Sequence, residues 1–146
     1  MEPITNKRAY FDYEILETFE AGLVLTGGEV KSIRGGKVSL GGSYVIVKNN
    51  EAFLLNTDIP PYQPNNTPAG YDQHRTRKVL LKHSEIKELL GKTHKTGLTI
   101  VPLKLYNKNR TIKLLIGLGR HKKKYDKRET IKKRDVEREI GCTLKR

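Results

Sequence analysis

Apolar positions change their spacing several times along the chain, and each spacing predicts an element. In Thr99–Tyr106, Val101, Leu103 and Leu105 alternate with other residues. In Thr111–Leu118, Ile112, Leu114 and Ile116 do the same, across a turn at Asn107–Arg110. A period of two over paired segments predicts a β-hairpin. Tyr44–Lys48 and Glu51–Asn56 flank Asn49-Asn50, which suits a tight hairpin turn because asparagine tolerates positive φ. Tyr10–Phe19 is rich in aromatic and β-branched residues and predicts a further strand, and Arg77–Lys82 a short one.

Two segments switch to helical spacing. Thr26-Gly27-Gly28-Glu29 has the Thr-x-x-Glu pattern of a capping box; Val30 and Ile33 follow on one face and Gly35 supplies a stop. Ser84 predicts the N-cap of a second helix, with Ile86, Leu89 and Leu90 on one face and an end at Gly91. Pro60–Thr76 is a long polar loop, of a length that in small domains is often functional. The sum is about six strands and two short helices. That is a mainly β (α+β) chain, expected to close as a small antiparallel barrel or sandwich.

Charge narrows the partner. There are 146 residues, enough for one domain, with 29 Lys plus Arg against 16 Asp plus Glu, a net charge of +13. Such a field favours a polyanion. The excess is unevenly placed: Arg120–Arg146 holds 12 basic and 5 acidic residues, net +7, and the first 119 residues hold the other +6. The chain is therefore expected to divide into a body over 1–119 and a basic tail over 120–146. On a helical wheel Tyr125, Val136, Ile140 and Leu144 form a narrow stripe. A helix with so thin an apolar face is expected to be disordered alone and to form on RNA.

Catalytic chemistry finds no frame. His74, His83, His94 and His121 are scattered, without a second ligand at metal spacing. Cys142 is the only cysteine and lies among charges, so no disulfide is expected and a reducing cytoplasm is the natural compartment. No phosphate loop is present, the glycine pairs 27–28, 35–36 and 41–42 read as turns, and Glu14 and Glu17 lie along a strand with nothing to separate their pKa values. An enzyme is not expected, nor a cofactor, a metal, a small-molecule substrate or a membrane partner.

A binding reading finds more. Asn6, Lys7 and Arg8 precede Tyr10, Phe11 and Tyr13, so groups suited to phosphates and base edges interleave with rings that stack. The same rings would serve a core. Lys31, Arg34 and Lys37 lie opposite the apolar face of the first helix or just past it, as an ordinary solvated face also would. Arg75 and Arg77 share one face of their strand, and Lys78 and Lys82 the other.

Several motifs together resemble the SsrA-binding protein family, also called small protein B. They are Asn-Lys-Arg-Ala (6–9) with Asp12-Tyr13, Phe-Glu-Ala-Gly-Leu (19–23) and Glu-Val-Lys-Ser-Ile-Arg (29–34). In the second half they are Arg-Thr-Arg-Lys-Val-Leu-Leu (75–81), Pro-Leu-Lys-Leu-Tyr (102–106) and Lys-Lys-Lys-Tyr-Asp-Lys-Arg (122–128). The resemblance spans nearly the whole chain. It implies an oligonucleotide-binding-type β-barrel with short flanking helices and a basic C-terminus that is helical when bound. It implies binding to the tRNA-like domain of transfer-messenger RNA (tmRNA), delivery to stalled ribosomes, and trans-translation. Elongation factor Tu and alanyl-tRNA synthetase are implied as partners through the RNA.

The family's RNA-binding positions fall on Asn6, Glu20 and Leu80. Gly22 lies in the Glu20 motif, and Lys7, Arg8, Lys31, Arg34, Arg75, Arg77 and Lys78 complete the expected tmRNA-binding set. Leu80 fits a core position equally well, and Glu29 is explained equally by the capping box. The decoding-centre contacts on the small subunit fall on Arg120, Lys122, Lys123, Tyr125, Asp126, Lys127 and Arg128. Lys124, Lys132, Lys133 and Arg134 extend this ribosome-contacting stretch. One departure stands out: His121 occupies a position the family usually fills with Gly, which restricts the backbone between body and tail. The alternative functions are a ribosomal protein or other rRNA-binding barrel with a basic extension, and an RNA-modifying or RNA-cleaving enzyme.

Overall fold

The computed structural model describes residues 1–63, 65, 67–94, 97–123, 128 and 131. Seven strands and three helices follow in the order β1 (Ile4–Thr5), α1 (Lys7–Asp12), β2 (Tyr13–Leu23), α2 (Gly27–Arg34), β3 (Tyr44–Lys48), β4 (Glu51–Leu55), β5 (Arg77–Leu80), α3 (His83–Thr93), β6 (Leu98–Lys108) and β7 (Thr111–His121). All pairings are antiparallel. β6, β3, β4, β5, β2 and β7 form a ring that closes because β7 also pairs with β6, and β1 is appended to β6. The six-stranded barrel matches the expected fold class.

Local chemistry explains most elements. Thr26 Oγ1 accepts from the Glu29 N–H at 3.2 Å while Glu29 Oε1 accepts from the Thr26 N–H at 2.9 Å, so the capping box forms as the sequence predicts. Asn49 and Asn50 have φ of 52° and 59°, and Asn109 and Arg110 have φ of 52° and 65°. Two consecutive positive φ values give turns whose twist matches that of the strands they join.

Two expectations at helix starts are corrected. Tyr10, Phe11 and Asp12 lie in α1, not in a strand, because Asn6 Oδ1 caps that helix by accepting from the Ala9 N–H at 3.2 Å. Ser84 lies inside α3 rather than capping it. The Glu85 carboxylate instead accepts from the Lys82 N–H at 3.0 Å, and the helix continues through Gly91 to Thr93.

The main core fills the ring. Phe19, Ala21, Val45, Leu54, Val79, Ile100, Leu105, Ile112, Leu114, Ile116 and Leu118 line it, and Ile33 of α2 and Leu89 of α3 join them. Each such aliphatic side chain contributes about 1.5–3 kcal/mol relative to exposure. A second, smaller cluster lies outside the ring. There Ala9 of α1 covers Val101 and Leu103, with Tyr13, Ile15 and Leu115 around them. The pairing of β6 with β7 shifts register between Pro102 and Lys104. Val101 and Leu103 therefore face outward while Leu105 faces inward, although all three share parity in the sequence. Gly117 makes the outer cluster fit: a Cβ there would sit 2.7 Å from Leu103 Cδ1 and 3.1 Å from Ile15 Cγ2.

Candidate nucleic-acid interface

β2 organises the surface. Its eleven residues span about 30 Å, and the expected RNA-binding residues divide between its two ends. At the end near Leu23 stand Glu20, Gly22, Leu80, Lys78, Arg75, Arg34 and Lys31. At the end near Tyr13 stand Asn6, Lys7, Arg8 and the start of the tail, since Tyr13 pairs with His121 and Glu14 with Arg120.

The Leu23 end offers an exposed platform. Glu20 is exposed, and its carboxylate accepts from the Tyr106 hydroxyl at 2.5 Å and from Lys108 Nζ at 3.2 and 3.3 Å. These donors hold its carboxyl below the ordinary glutamate range, with the Tyr106 bond as the largest cause. The same arrangement pushes the Tyr106 phenol up to about 12, through burial first and the Glu20 bond second. Gly22 pairs with Leu80 on one side and Lys113 on the other. Its missing side chain matters, because a Cβ would lie 3.3 Å from Leu80 Cβ. Leu80 is 49% exposed, so the core reading of it is excluded. Lys78 points the same way and meets Glu51 at 3.2 Å. Arg34 donates to the Arg110 carbonyl at 3.0 Å, tying α2 to the β6–β7 turn. Tyr106, Lys108 and Lys113 join this platform although sequence reading missed them. Their signal was the outward parity of Lys104, Tyr106 and Lys108 on β6, which becomes informative only once β2 is known to pair with β7.

Beneath the platform lies a buried ionic cluster. Glu29 is 1% and Arg77 0% exposed. Arg77 Nε donates to Glu29 Oε2 at 2.5 Å, and Arg75 holds both Glu29 oxygens. The rest of the Arg77 guanidinium donates to the Thr57 carbonyl at 2.8 Å, Gln73 at 3.0 Å and Arg75 at 3.1 Å, and to the Tyr71 hydroxyl at 3.4 Å. Burial by itself raises the Glu29 pKa; Arg75, the Thr26 N–H and Arg77 outweigh it and bring the carboxyl to about 2. The expectation of Arg77 as a direct RNA contact is thus corrected. Its side chain is enclosed, and its five donors are directed at Glu29 and at the chain over 57–75. Arg75 is partly exposed and aligned by Glu29. Lys31 extends from α2 over the Tyr62 ring, 5.9 Å from its centroid.

The Tyr13 end is built differently. Asn6 is 5% exposed. Its amide donates to the carbonyls of Pro102 at 2.8 Å and Leu40 at 3.3 Å, so it fixes α1 to the barrel rather than facing solvent. Lys7 and Arg8 are exposed on α1, with Arg8 bridged to Asp12 at 3.5 Å. Arg120 is the penultimate residue of β7 and pairs with Glu14. The Lys122 N–H donates to the Asp12 carbonyl at 2.8 Å and its Nζ to that of Tyr10 at 3.3 Å, so the chain stays docked on α1 one residue past the barrel. Lys123 and Arg128 are exposed. The expected contacts Lys124, Tyr125, Asp126, Lys127, Lys132, Lys133 and Arg134, and the tail stripe, lie outside the described residues.

No group of three metal-ligating side chains exists among the described residues, and no helix there is long and apolar enough to cross a membrane.

Comparison with known proteins bears on this geometry. The family model described as SmpB protein matches residues 3–146. An SsrA-binding protein of Acaryochloris marina is 53% identical over 141 residues, covering 97% of this chain and 92% of the relative. That of Anoxybacillus flavithermus is 54% identical over 135 residues, covering 92% and 87%. A chain in the solved structure "tmRNA-SmpB: a journey to the center of the bacterial ribosome" superposes with a TM-score of 0.70 at 45% identity, covering 88% of this chain and 94% of that one.

Proposed function

Since the chain belongs to the SmpB family of SsrA-binding proteins, we propose that it binds the tRNA-like domain of tmRNA and delivers it to stalled ribosomes for trans-translation. The observation that carries this reading is a family match that runs from residue 3 to residue 146, through both the barrel and the tail. It unites the two ends of β2 in one task.

In this reading the platform of Glu20, Gly22, Leu80, Lys78 and Arg75 receives the folded RNA. Glu20 accepts hydrogen bonds from base or ribose groups, Leu80 packs on exposed base or sugar surface, and the cations neutralise phosphates. Arg34, Lys31, Lys108 and Lys113 flank this contact. Asn6 supports binding by holding α1 in place. Arg120 stands at the end of β7, and the tail that follows, from Lys122 and Lys123 to Arg128 and beyond, enters the small-subunit decoding centre and the empty messenger channel. Its cations meet rRNA phosphates and Tyr125 stacks on a base. Elongation factor Tu and alanyl-tRNA synthetase join through the RNA, and the cytoplasm is the compartment. The protein acts by binding, as an RNA-binding family does, and a ribosomal protein is not favoured by relatives that are SsrA-binding proteins.

Pull-down of the tagged chain from bacterial lysate, followed by RNA sequencing, tests this. A dominant tmRNA signal is the expected outcome. Ribosomal RNA in its place, retained at high salt, would favour the ribosomal-protein reading.

A further inference from the structure

Glu29 is enclosed, at 1% exposure, so no RNA can touch it. A carboxylate beneath a phosphate-binding platform should simply repel. Its surroundings point to the opposite effect. Arg75 lies against it side-on, with Nε donating to Oε2 at 3.1 Å and Nη2 to Oε1. The other Nη2 hydrogen faces the Val24 carbonyl at 3.4 Å, and Nη1 faces the Thr76 carbonyl at 3.4 Å. A guanidinium carries five N–H donors, so one N–H of Nη1 has no partner among the described residues. The Arg75 side chain is 31% exposed. Its Nη1 edge therefore meets solvent in a set orientation, beside Val24, whose N–H donates to the Lys78 carbonyl at 3.0 Å.

A Glu29–Arg75 pair alone would be neutral and would attract a phosphate weakly. Arg77 changes that sum. Its Nε donates to the same Glu29 Oε2, and its remaining donors go to Thr57, Gln73, Arg75 and Tyr71. Two guanidinium groups on one carboxylate leave one positive charge in excess. Arg77 is wholly enclosed, so Arg75 is the member of the three through which that excess meets solvent. Glu29 cannot swing outward with Arg75. The Thr26 N–H holds its Oε1 at 2.9 Å, and the Tyr71 hydroxyl holds its Oε2 at 3.3 Å. Arg75 is thus both fixed and cationic. An arginine that is loose before binding loses rotamer freedom when it binds; one already ordered loses little.

We infer that Glu29 and Arg77 are positioning residues for RNA: without touching it they aim Arg75 and keep its charge available, so that Arg75 Nη1 meets a backbone phosphate, a role that rests on the platform receiving RNA as proposed above. Phosphate is the matching group because one exposed N–H edge of a cation suits a phosphate oxygen. Reading a guanine edge takes two parallel donors, and the paired donors of Arg75 are already on Glu29. The buried cluster then serves affinity as well as stability, and Arg77 affects RNA from a position that RNA never reaches.

The test is filter binding of the full-length protein to the tRNA-like domain of tmRNA over a series of salt concentrations, with circular dichroism to establish that each variant is folded. Arg75→Gln should weaken binding by about 10-fold, as loss of a charged hydrogen bond does. It should also lower the log–log salt slope by about 0.9, the share of one phosphate. Glu29→Gln should do the same, although it removes a negative charge. The double variant should bind no more weakly than Arg75→Gln alone. Tighter binding by Glu29→Gln would overturn the inference, since the carboxylate would then act only by repulsion. So would weaker binding with the full salt slope, or losses that multiply in the double variant, because both mark a structural role only. A second measurement needs no variant. In proton–nitrogen spectra of the arginine side chains, the Arg75 Nε–H should be protected from exchange and stay so when the RNA is added. Exchange as fast as that of a free arginine, before or after RNA, would show that Glu29 does not hold Arg75 in the complex and would equally overturn the inference. A parent protein that fails to bind this RNA would overturn the proposed function and this role with it. A parent that binds, with any adverse result above, overturns this role alone.

Discussion

The two ends of β2 are fixed by different physics. At the Leu23 end an ionised carboxylate, Glu29, sits between two arginines under the platform and ties α2 to β5 and to the chain over 57–75. At the Tyr13 end a neutral amide, Asn6, does the corresponding work between α1 and the barrel, helped by the Lys122 N–H on the Asp12 carbonyl. One end is therefore held by a buried ionic cluster, and the other by a buried neutral amide with its ion pairs, Arg8–Asp12 and Arg120–Glu14, at the surface. A buried ion pair is costly to break from one side, and it responds to pH. A neutral amide network does neither so strongly.

The largest effect that would test this contrast is removal of Arg77. Arg77→Met strands Glu29 with Arg75 alone and should cost about 3–5 kcal/mol in urea unfolding. A loss below about 1 kcal/mol would mean the cluster does not organise that end. The pH response comes next. The Glu29 carboxyl is depressed from 4.5 to about 2, so its contribution is fully present above 4.5 and is lost as pH falls toward 2. That contribution amounts to about 3 kcal/mol. Unfolding midpoints measured between pH 5 and pH 2.5 should decline in the parent and decline less in Glu29→Gln. An equal decline in both would place the acid sensitivity elsewhere.

Asn6→Ala should cost about 2 kcal/mol, since it removes a helix cap and two buried hydrogen bonds to the Pro102 and Leu40 carbonyls. That loss should be the same at pH 5 and pH 7, and RNA affinity should fall without loss of an RNA contact. If the loss grew with pH or salt, the neutral character assigned to this end would be wrong. The smallest stability effects belong to the platform itself. Leu80→Ala and Gly22→Ala should change stability by about 0.5 kcal/mol or less, while filter-binding affinity for the tRNA-like domain falls by about 10-fold. Stability losses as large as those of Asn6→Ala would return Leu80 to the core.

How legible each end was in the sequence follows from the same physics. Local chemistry could be read directly: the Thr26–Glu29 box, the Asn49-Asn50 turn and the alternation in β7 all form as expected. Elements set by competition could not. Tyr10 and Phe11 favour strands by type, but the Asn6 cap and the seat of Ala9 on Val101 and Leu103 place them in a helix. Parity put Arg77 and Lys78 on opposite faces correctly, yet each face also carried an apolar residue, Val79 on one and Leu80 on the other. Which face was inside depended on β2 and β4, remote in sequence. For that reason Arg77 looked like an RNA contact and Leu80 fitted core and surface equally, whereas Arg77 is enclosed and Leu80 exposed. Charge showed that a polyanion would bind; it could not show that one of the cations would be enclosed.

The continuity of β2 has a consequence for length. One unbroken strand separates the platform from the tail, so their spacing is a ruler graduated in residues. Beyond the register shift between Ile15 and Glu17, side chains alternate faces, so from Glu17 to Leu23 the ruler can change only in steps of two without turning its inward residues out. Each such step, matched in β7, moves the two ends by about 7 Å. A protein that holds one RNA while touching another site at a set distance would have its reach fixed by the number of residues in that strand.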